Sequence, residues 1–183
     1  MPRCLRLLAA YLIVAQSVEL PRTVSAAETV TEGKKAGDLR DDNGLKLNLV
    51  WCPPGKFKMG EVSGAVDVTL TRGFWLGQTS VTQAQWKTVM GTTPWSGKDY
   101  VKEGVDYPAT FVNWDEATEF CKKFTASESA TGRLPKGYVY ALPTEAQREY
   151  ATRAGTTTTY SFGDDESKLG DYGPFGKKCN VIS

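Results

Sequence analysis

The 183-residue sequence contains no histidine, and this absence excludes several kinds of enzyme site. Serine and cysteine nucleophiles are commonly activated by an imidazole base, and most catalytic zinc and non-haem iron sites use imidazole ligands. Carboxylate, thiolate, lysine and backbone chemistry remain open. Carboxylates are plentiful, but no pair of them has a spacing that indicates acid–base catalysis, so the pattern assigns no catalytic residue.

The sequence also lacks an excess of charge of either sign. Its formal net charge is +1, and loss of residues 1–26, which hold three arginines and one glutamate, leaves −1. A protein that binds nucleic acid or an anionic membrane is expected to carry a basic patch, and we expect neither partner here. Hydrophobic residues at 40% and charged residues at 23% predict one globular domain.

The apolar run LLAAYLIVAQSV, residues 7–18, is too short for the ~20-residue helix that crosses a bilayer. Arg3 and Arg6 precede this run and the small residues VSA at 24–26 follow it, as in a secretory signal peptide. We predict that residues 1–26 are a cleaved signal peptide and that the mature protein is periplasmic or secreted. The alternative is an N-terminal core helix.

Cysteines are few, and three of the four lie beyond residue 26. Cys52, Cys121 and Cys179 are too far apart for a CxxC metal or redox site. In an oxidising compartment two of them can pair, and their spacing leaves the pairing open. Cys121 falls on the apolar stripe of a predicted helix, which favours a buried thiol or a structural disulfide partner over a reactive thiol.

The rest of the chain divides into a polar leader and a folded region. Residues 27–44 lack periodicity, which predicts a flexible leader. Alternating apolar residues in LKLNLVW predict a strand over residues 45–51, and two further strands carry Phe57 and Met59, and Val66, Val68 and Leu70. Short strands followed by helices, without a regular βαβ rhythm, predict an α+β fold.

Three predicted helices begin at capping boxes, in which an N-cap side chain stands three residues before Glu or Gln. The pairs are Thr82 and Gln85, Asn113 and Glu116, and Thr144 and Gln147. The first helix is predicted to end at Gly91 and the third at Gly155. The second has a buried stripe formed by Ala117, Phe120, Cys121 and Phe124.

The five tryptophans suit either a ligand cleft or the core, and most of them fall in apolar segments, where core packing accounts for them. Trp95, in the loop TTPWSGKDY, is predicted to be the exposed one. The acidic residues Asp164, Asp165 and Glu166 lack the alternating spacing of a calcium loop, which predicts a solvated turn.

Four segments in register resemble the sulfatase-modifying factor family, whose founding member is the formylglycine-generating enzyme. They are CPPGKFKMG at 52–60, LTRGFWLGQTSVTQAQWKTVMG at 70–91, VNWDEATEFC at 112–121 and LPTEAQREYATRAG at 142–155, followed by YSFGDD at 160–165. The resemblance implies a C-type-lectin-like fold with much irregular backbone. It assigns residues 45–175 to the N-terminal part of such a domain and residues 176–183 to a divergent tail.

The best-known activity of that family is the oxidation of a sulfatase cysteine to formylglycine, with copper and dioxygen. The resemblance implies that copper binds a cysteine pair near the C-terminal end of the domain, beyond segments resembling GNVWEW and RGGSW that are absent here. It also implies calcium ligands that begin near Tyr172, Gly173 and Pro174 and continue into the missing part. We therefore transfer no catalytic, copper or calcium residue to this chain, and the lone Cys179 cannot replace a pair.

Three functions remain open: an oxidase of sulfatase cysteines, a non-catalytic lectin-like module that binds a peptide or a glycan, and a truncated copy that is inactive alone. The expected partners are sulfatases or another exported polypeptide, and the oligomeric state is open. Truncation predicts that the apolar faces of Phe120 and Phe124 lack partners. Arg148 stands where the family usually has a core tryptophan, so its guanidinium must turn outward or be buried as a charge.

Overall fold

The computed structural model describes residues 12–16, 32–60, 64–158, 160–168 and 171, which form seven strands and three α-helices. The strands are β1 Ile13–Gln16, β2 Leu39–Arg40, β3 Leu49–Cys52, β4 Gly55–Met59, β5 Val66–Leu70, β6 Phe74–Gly77 and β7 Tyr138–Ala141. Five of them form an antiparallel sheet of order β2-β3-β6-β1-β7, and β4 and β5 form a separate hairpin. This arrangement confirms the α+β prediction.

The helices are α1 Gln83–Met90, α2 Trp114–Ala130 and α3 Glu145–Arg153, and each begins at its predicted capping box with both reciprocal hydrogen bonds formed. α1 ends at Gly91, which has the predicted left-handed backbone with φ of 71°. α3 ends earlier than predicted. The left-handed cap residue is Ala154, whose N–H donates to the carbonyl of Tyr150, and Gly155 follows it.

The core lies between α2 and one face of the sheet. Strand pairing aligns Trp51 with Trp75, Trp75 with Val14, and Val14 with Tyr140, so these side chains share that face. The predicted α2 stripe packs against it and is buried.

Aromatic contacts join this core to both helices. Phe124 contacts Tyr140 with ring centroids 4.2 Å apart, and Phe120 stacks on Trp86 of α1 at 5.3 Å. The expectation that Phe120 and Phe124 lack partners is therefore wrong, because α1 and β7 supply them.

One buried charge is compensated inside the core. The Glu128 carboxylate is 1% exposed and accepts hydrogen bonds from the Arg133 guanidinium at 2.8 Å and from the Gly44 amide at 3.1 Å. The Glu128 carboxylate raises the pKa of Arg133 further above its usual range. This network ties the C-terminal end of α2 to the loop that precedes β3.

Several expectations about the chain before β3 are corrected. Leu39 and Arg40, assigned to the flexible leader, pair with Val50 and Leu49, because β3 offers an open edge to a strand. The strand predicted over residues 45–51 covers only Leu49–Cys52, since Lys46 has a left-handed backbone with φ of 52°. β1 lies within the predicted signal peptide, whose cleavage stays a prediction.

The prediction that Trp95 is exposed is wrong. Trp95 is 3% exposed, because its loop folds back over α1: the Gln83 side chain donates to the Lys102 carbonyl and accepts from the Gly104 amide. Trp114, by contrast, is 64% exposed at the first position of α2. The predicted acidic turn is confirmed as exposed and leads into a short 3₁₀ helix at Glu166–Lys168.

Candidate functional site

A groove of about 560 Å³ runs between α2 and β7, and we call it the helix groove. It is lined by Trp114, Thr118, Cys121, Lys122, Thr125, Ala126, Val139, Tyr140, Ala141 and Leu142. Its volume lies within the range of natural ligand pockets, and its lining is largely apolar. Both properties suit a ligand that presents apolar side chains.

One stripe of α2 forms a wall of this groove. Positions 114, 118, 121, 122 and 125 recur at helical spacing, so their side chains face the same side. Trp114 is at the outer end with most of its surface exposed, and the buried hydroxyl of Thr118 has no hydrogen-bond partner among the described residues. A large exposed aromatic beside an apolar groove is a feature of interaction sites.

The floor of the groove is the outer edge of β7, and α2 covers the backbone there. The Thr125 hydroxyl accepts the Tyr140 N–H at 2.9 Å and donates to the Tyr140 carbonyl at 3.3 Å. A further strand cannot extend the sheet at Tyr140, because both backbone groups are already paired. The helix groove is therefore suited to side-chain contacts rather than to strand addition.

The described cysteines, Cys52 and Cys121, are both free. They lie on opposite sides of the sheet: Trp51 faces the core, so its neighbour Cys52 faces away, whereas Cys121 belongs to the helix that covers the core face. Burial raises the pKa of the thiols to about 11 for Cys52 and to about 12 for Cys121. Both thiols are thus protonated at neutral pH, and the prediction of a buried thiol at Cys121 is confirmed.

These properties do not fit a copper-binding thiolate pair, which needs two neighbouring, deprotonated sulfurs. Cys179 and the positions Tyr172, Gly173 and Pro174 lie outside the described residues. Within the described ranges, no group of three or more Asp, Glu, Cys or His side chains is placed to hold a metal ion.

A second groove of about 560 Å³ separates the β4–β5 hairpin from α3. Two ion pairs lie beside this groove. The Arg153 guanidinium is 2.8 Å from the Glu149 carboxylate, and the Lys58 ammonium is 2.9 Å from the Asp67 carboxylate. Arg148 is exposed, so its charge is not buried in the core. A smaller fraction of the surface of this groove is apolar than in the helix groove, so we assign it a structural role between the hairpin and α3.

The residues that build the helix groove could be found only in part from the sequence. The capping box at Asn113 places Trp114 at the start of α2, but the sequence pattern does not decide whether its side chain is exposed. The helical spacing of Trp114, Thr118 and Lys122 defines a second stripe on α2, displaced by one residue from the buried stripe. This second stripe is the sequence signal for the wall of the groove.

Of the described helices, none is long and apolar enough to span a membrane.

Residues 37–178 match the family described as the sulfatase-modifying factor enzyme 1-like domain. A curated relative, "Chaperone protein LppX" from Paenibacillus barcinonensis, is 27% identical over 153 residues, which cover 68% of this chain and 53% of the relative.

Among solved structures, that of PvdO from Pseudomonas aeruginosa is similar, with a TM-score of 0.57 and 26% identity over 74% of this chain and 58% of PvdO. The chain thus spans little more than half the length of either protein. The α+β architecture is that of the C-type-lectin-like fold of formylglycine-generating enzymes. Because the family match covers most of the sequence, this chain belongs to the sulfatase-modifying factor family.

Proposed function

We propose that this protein is an exported, non-catalytic member of the family that binds another exported polypeptide in the helix groove. The observation that carries the proposal is the exposed Trp114 at the mouth of an apolar groove. Aromatic side chains of this kind supply much of the binding energy at protein interfaces. The name of the relative, a chaperone protein, supports a polypeptide as the ligand in preference to a glycan.

The state of the described thiols supports a role other than sulfatase oxidation by this chain alone. Oxidation in this family needs a reactive thiolate pair, whereas Cys52 and Cys121 are separated by the sheet and burial raises the pKa of both. A sulfatase remains one suitable partner, since its unfolded chain would present apolar side chains to the groove. Export is proposed from the basic start, apolar run and small-residue exit of residues 1–26.

The binding test uses the whole chain and a reduced, carboxymethylated model polypeptide as the probe. We expect Trp114→Ala to weaken binding about tenfold or more, because it removes the main apolar anchor. Tyr100→Ala is the matched control: Tyr100 is 86% exposed and lies outside the groove, so its loss should leave binding unchanged. Equal binding by Trp114→Ala and the wild type would contradict the proposal, as would competition by a glycan instead of a polypeptide.

The catalytic alternative is tested in parallel. Purified protein, copper and oxygen are incubated with a cysteine peptide from a sulfatase, and the mass of the peptide is measured. We expect the cysteine to remain unchanged. Conversion to formylglycine would overturn the non-catalytic assignment.

Cleavage after Ala26 is tested separately. Mass spectrometry of the exported protein identifies its N-terminal residue.

A further inference from the structure

Phe111, an exposed aromatic residue just before α2, is held in an unfavourable backbone conformation. Its φ of 57° lies in the left-handed region, which residues with bulky side chains rarely adopt. Phe111 is also 47% exposed, so burial in the core does not account for this conformation. Strained residues persist where the surrounding structure imposes them, and they cluster at binding sites and active sites. The backbone of Phe111 therefore points to a function for its ring.

The chain on either side of Phe111 is fixed in place. Before it, the Ala109 N–H donates to the Val81 carbonyl at 2.9 Å, next to the cap of α1. After it, Asn113 caps α2, and the Asn113 N–H donates to the Glu116 carboxylate at 2.8 Å. Three residues must connect these two anchored points, and the middle one takes the left-handed conformation that leaves its ring at the surface.

Two buried hydroxyls in the same stretch lack a hydrogen-bond partner among the described residues. They belong to Thr110, next to Phe111, and to Thr118, in the wall of the helix groove. Buried polar groups are normally paired, and the exceptions mark strained or functional positions. A strained backbone and both unpaired hydroxyls thus fall between residues 110 and 118, where Phe111 and Trp114 are exposed.

Phe111 and Trp114, which we call the aromatic pair, are close enough for one ligand to contact both. Three residues of chain span at most about 11 Å, so the two Cα atoms lie within that distance. An extended peptide advances about 3.3 Å per residue, and its side chains two positions apart point to the same side. Such a peptide can place one apolar side chain against Trp114 and a second against Phe111.

Cationic side chains flank the aromatic pair. The Lys98 ammonium lies 5.6 Å from the centroid of the Phe111 ring, and Lys122 lines the helix groove. Within the described part of the chain, neither lysine forms an ion pair with a carboxylate. Asp115 and Glu119 each follow a residue of the groove stripe by one position, and adjacent helical residues do not face each other. A carboxylate on the ligand complements these two ammonium groups.

We propose that Phe111 is a second anchor for the polypeptide that binds in the helix groove. The bound segment carries two large apolar side chains two positions apart and a carboxylate next to them. The proposal rests on the proposed function, which supplies the polypeptide. Trp114 provides the general affinity, and Phe111 selects among segments, because a segment with one apolar side chain leaves the Phe111 ring in water. The strained loop presents this ring in advance, so little ordering is needed on binding.

The test measures the binding of three labelled peptides to the full chain by fluorescence anisotropy. GSFSFEGS carries both apolar side chains and the carboxylate, GSFSAEGS lacks one apolar side chain, and GSFSFKGS has lysine in place of glutamate. We expect GSFSFEGS to bind about tenfold more tightly than either of the others. Phe111→Gly should abolish the advantage of GSFSFEGS over GSFSAEGS, whereas Trp114→Ala should weaken the binding of all three peptides.

Thermal unfolding separates this role from a structural one. Glycine adopts positive φ without strain, so Phe111→Gly should leave the melting temperature unchanged or raise it while it weakens binding. Phe111→Tyr keeps an aromatic ring and should retain binding within about threefold.

Tyr100→Gly is the matched control. Tyr100 is also an exposed aromatic residue with a left-handed backbone, at φ of 63°, but it lies in the loop after α1 and not beside the cap of α2. Its replacement by glycine should relieve strain in the same way and leave peptide binding unchanged. Equal weakening by Tyr100→Gly and Phe111→Gly would contradict the assignment to Phe111.

Three further results would overturn the proposal: equal binding of GSFSFEGS and GSFSAEGS, equal binding of GSFSFEGS and GSFSFKGS, or unchanged binding by Phe111→Gly. A dimer of the free chain that excludes the peptides would also overturn it and assign the aromatic pair to a second copy. If Trp114→Ala weakens binding and Phe111→Gly does not, only this inference fails. If Trp114→Ala has no effect, the helix-groove function itself fails.

Discussion

Two regions of the molecule are held together by different forces. The sheet region, formed by the five-stranded sheet with α1 and α2, contains the buried aromatic cluster of Trp51, Trp75, Trp86, Phe120 and Phe124. The hairpin region, formed by β4, β5 and α3, has no buried residue in its helix, and Val66 is 61% exposed. Its main attachments are one aromatic contact and one charged clamp.

Those attachments can be named. The ring of Tyr150 lies 5.4 Å from that of Phe57, and the Gly60 backbone is held from both sides, with its N–H donating to Glu149 and its carbonyl accepting from Arg153. Regions with few buried apolar contacts open locally at lower free energy than the core does. We therefore expect the hairpin region to open while the sheet region stays folded.

The largest expected loss of stability follows from a substitution in the sheet core. Trp86→Ala should lower the free energy of unfolding by about 3–5 kcal/mol, because it removes a ring that is 1% exposed and stacked on Phe120. Urea denaturation measures this loss. Trp114→Ala, the same change at a 64% exposed position, is the control, and it should cost less than about 1 kcal/mol. Similar losses for the two variants would contradict the assigned core.

The next effect is at the buried charge. Arg133→Ala removes the cation beside Glu128 and should cost about 3 kcal/mol, because it leaves a carboxylate buried with only an amide donor. Thermal and urea unfolding check this value. Arg72→Ala, at an exposed position in the turn before β6, should change stability by less than about 0.5 kcal/mol.

A smaller effect is expected where the hairpin meets α3. Tyr150→Ala removes the contact with Phe57 and should cost about 1 kcal/mol, felt mainly as faster hydrogen exchange of β4 and β5 amides. Tyr100→Ala, at an 86% exposed position, is the matched control. If exchange in the sheet region rises as much as in the hairpin, the two regions are one cooperative unit.

The smallest expected effect is a pH-dependent change in the hydrogen exchange of the hairpin. The Gly60 N–H, followed by the Arg153 guanidinium, lowers the pKa of Glu149 below its usual value of 4.5. The clamp is therefore present above pH 4.5 and is lost as the pH falls through the lower pKa of the folded state. Hairpin exchange should rise in this window, and Glu149→Gln should remove the pH dependence at a cost of about 0.5 kcal/mol. An unchanged pH profile in this variant would contradict the role of Glu149.

Local features were the most predictable part of this structure. All three capping boxes form, and the stripe of Ala117, Phe120, Cys121 and Phe124 is buried. These patterns succeed because an N-cap hydrogen bond and a helical period involve residues only three or four positions apart. The motif resemblance extended the prediction to the family, and the match over residues 37–178 confirms it.

Predictions failed where distant segments decide burial. Trp95 is buried because the Gln83 side chain anchors the loop that follows α1. Leu39 belongs to a strand because the edge of β3 is open to it. Trp114 is exposed because the sheet covers another side of α2. Sequence periodicity cannot supply these contacts, because their partners are far apart in the chain.

The sequence by itself determined where the three helices begin, the lack of imidazole chemistry and membership of the family, because each depends on residue identity or on short-range spacing. Only the tertiary structure decided that Cys52 and Cys121 lie on opposite sides of the sheet and that Trp114 opens onto a groove. It alone placed Ile13–Gln16 between β6 and β7. The physical reason is that strand pairing and burial are set by long-range contacts, which the apolar character of a segment permits but does not specify.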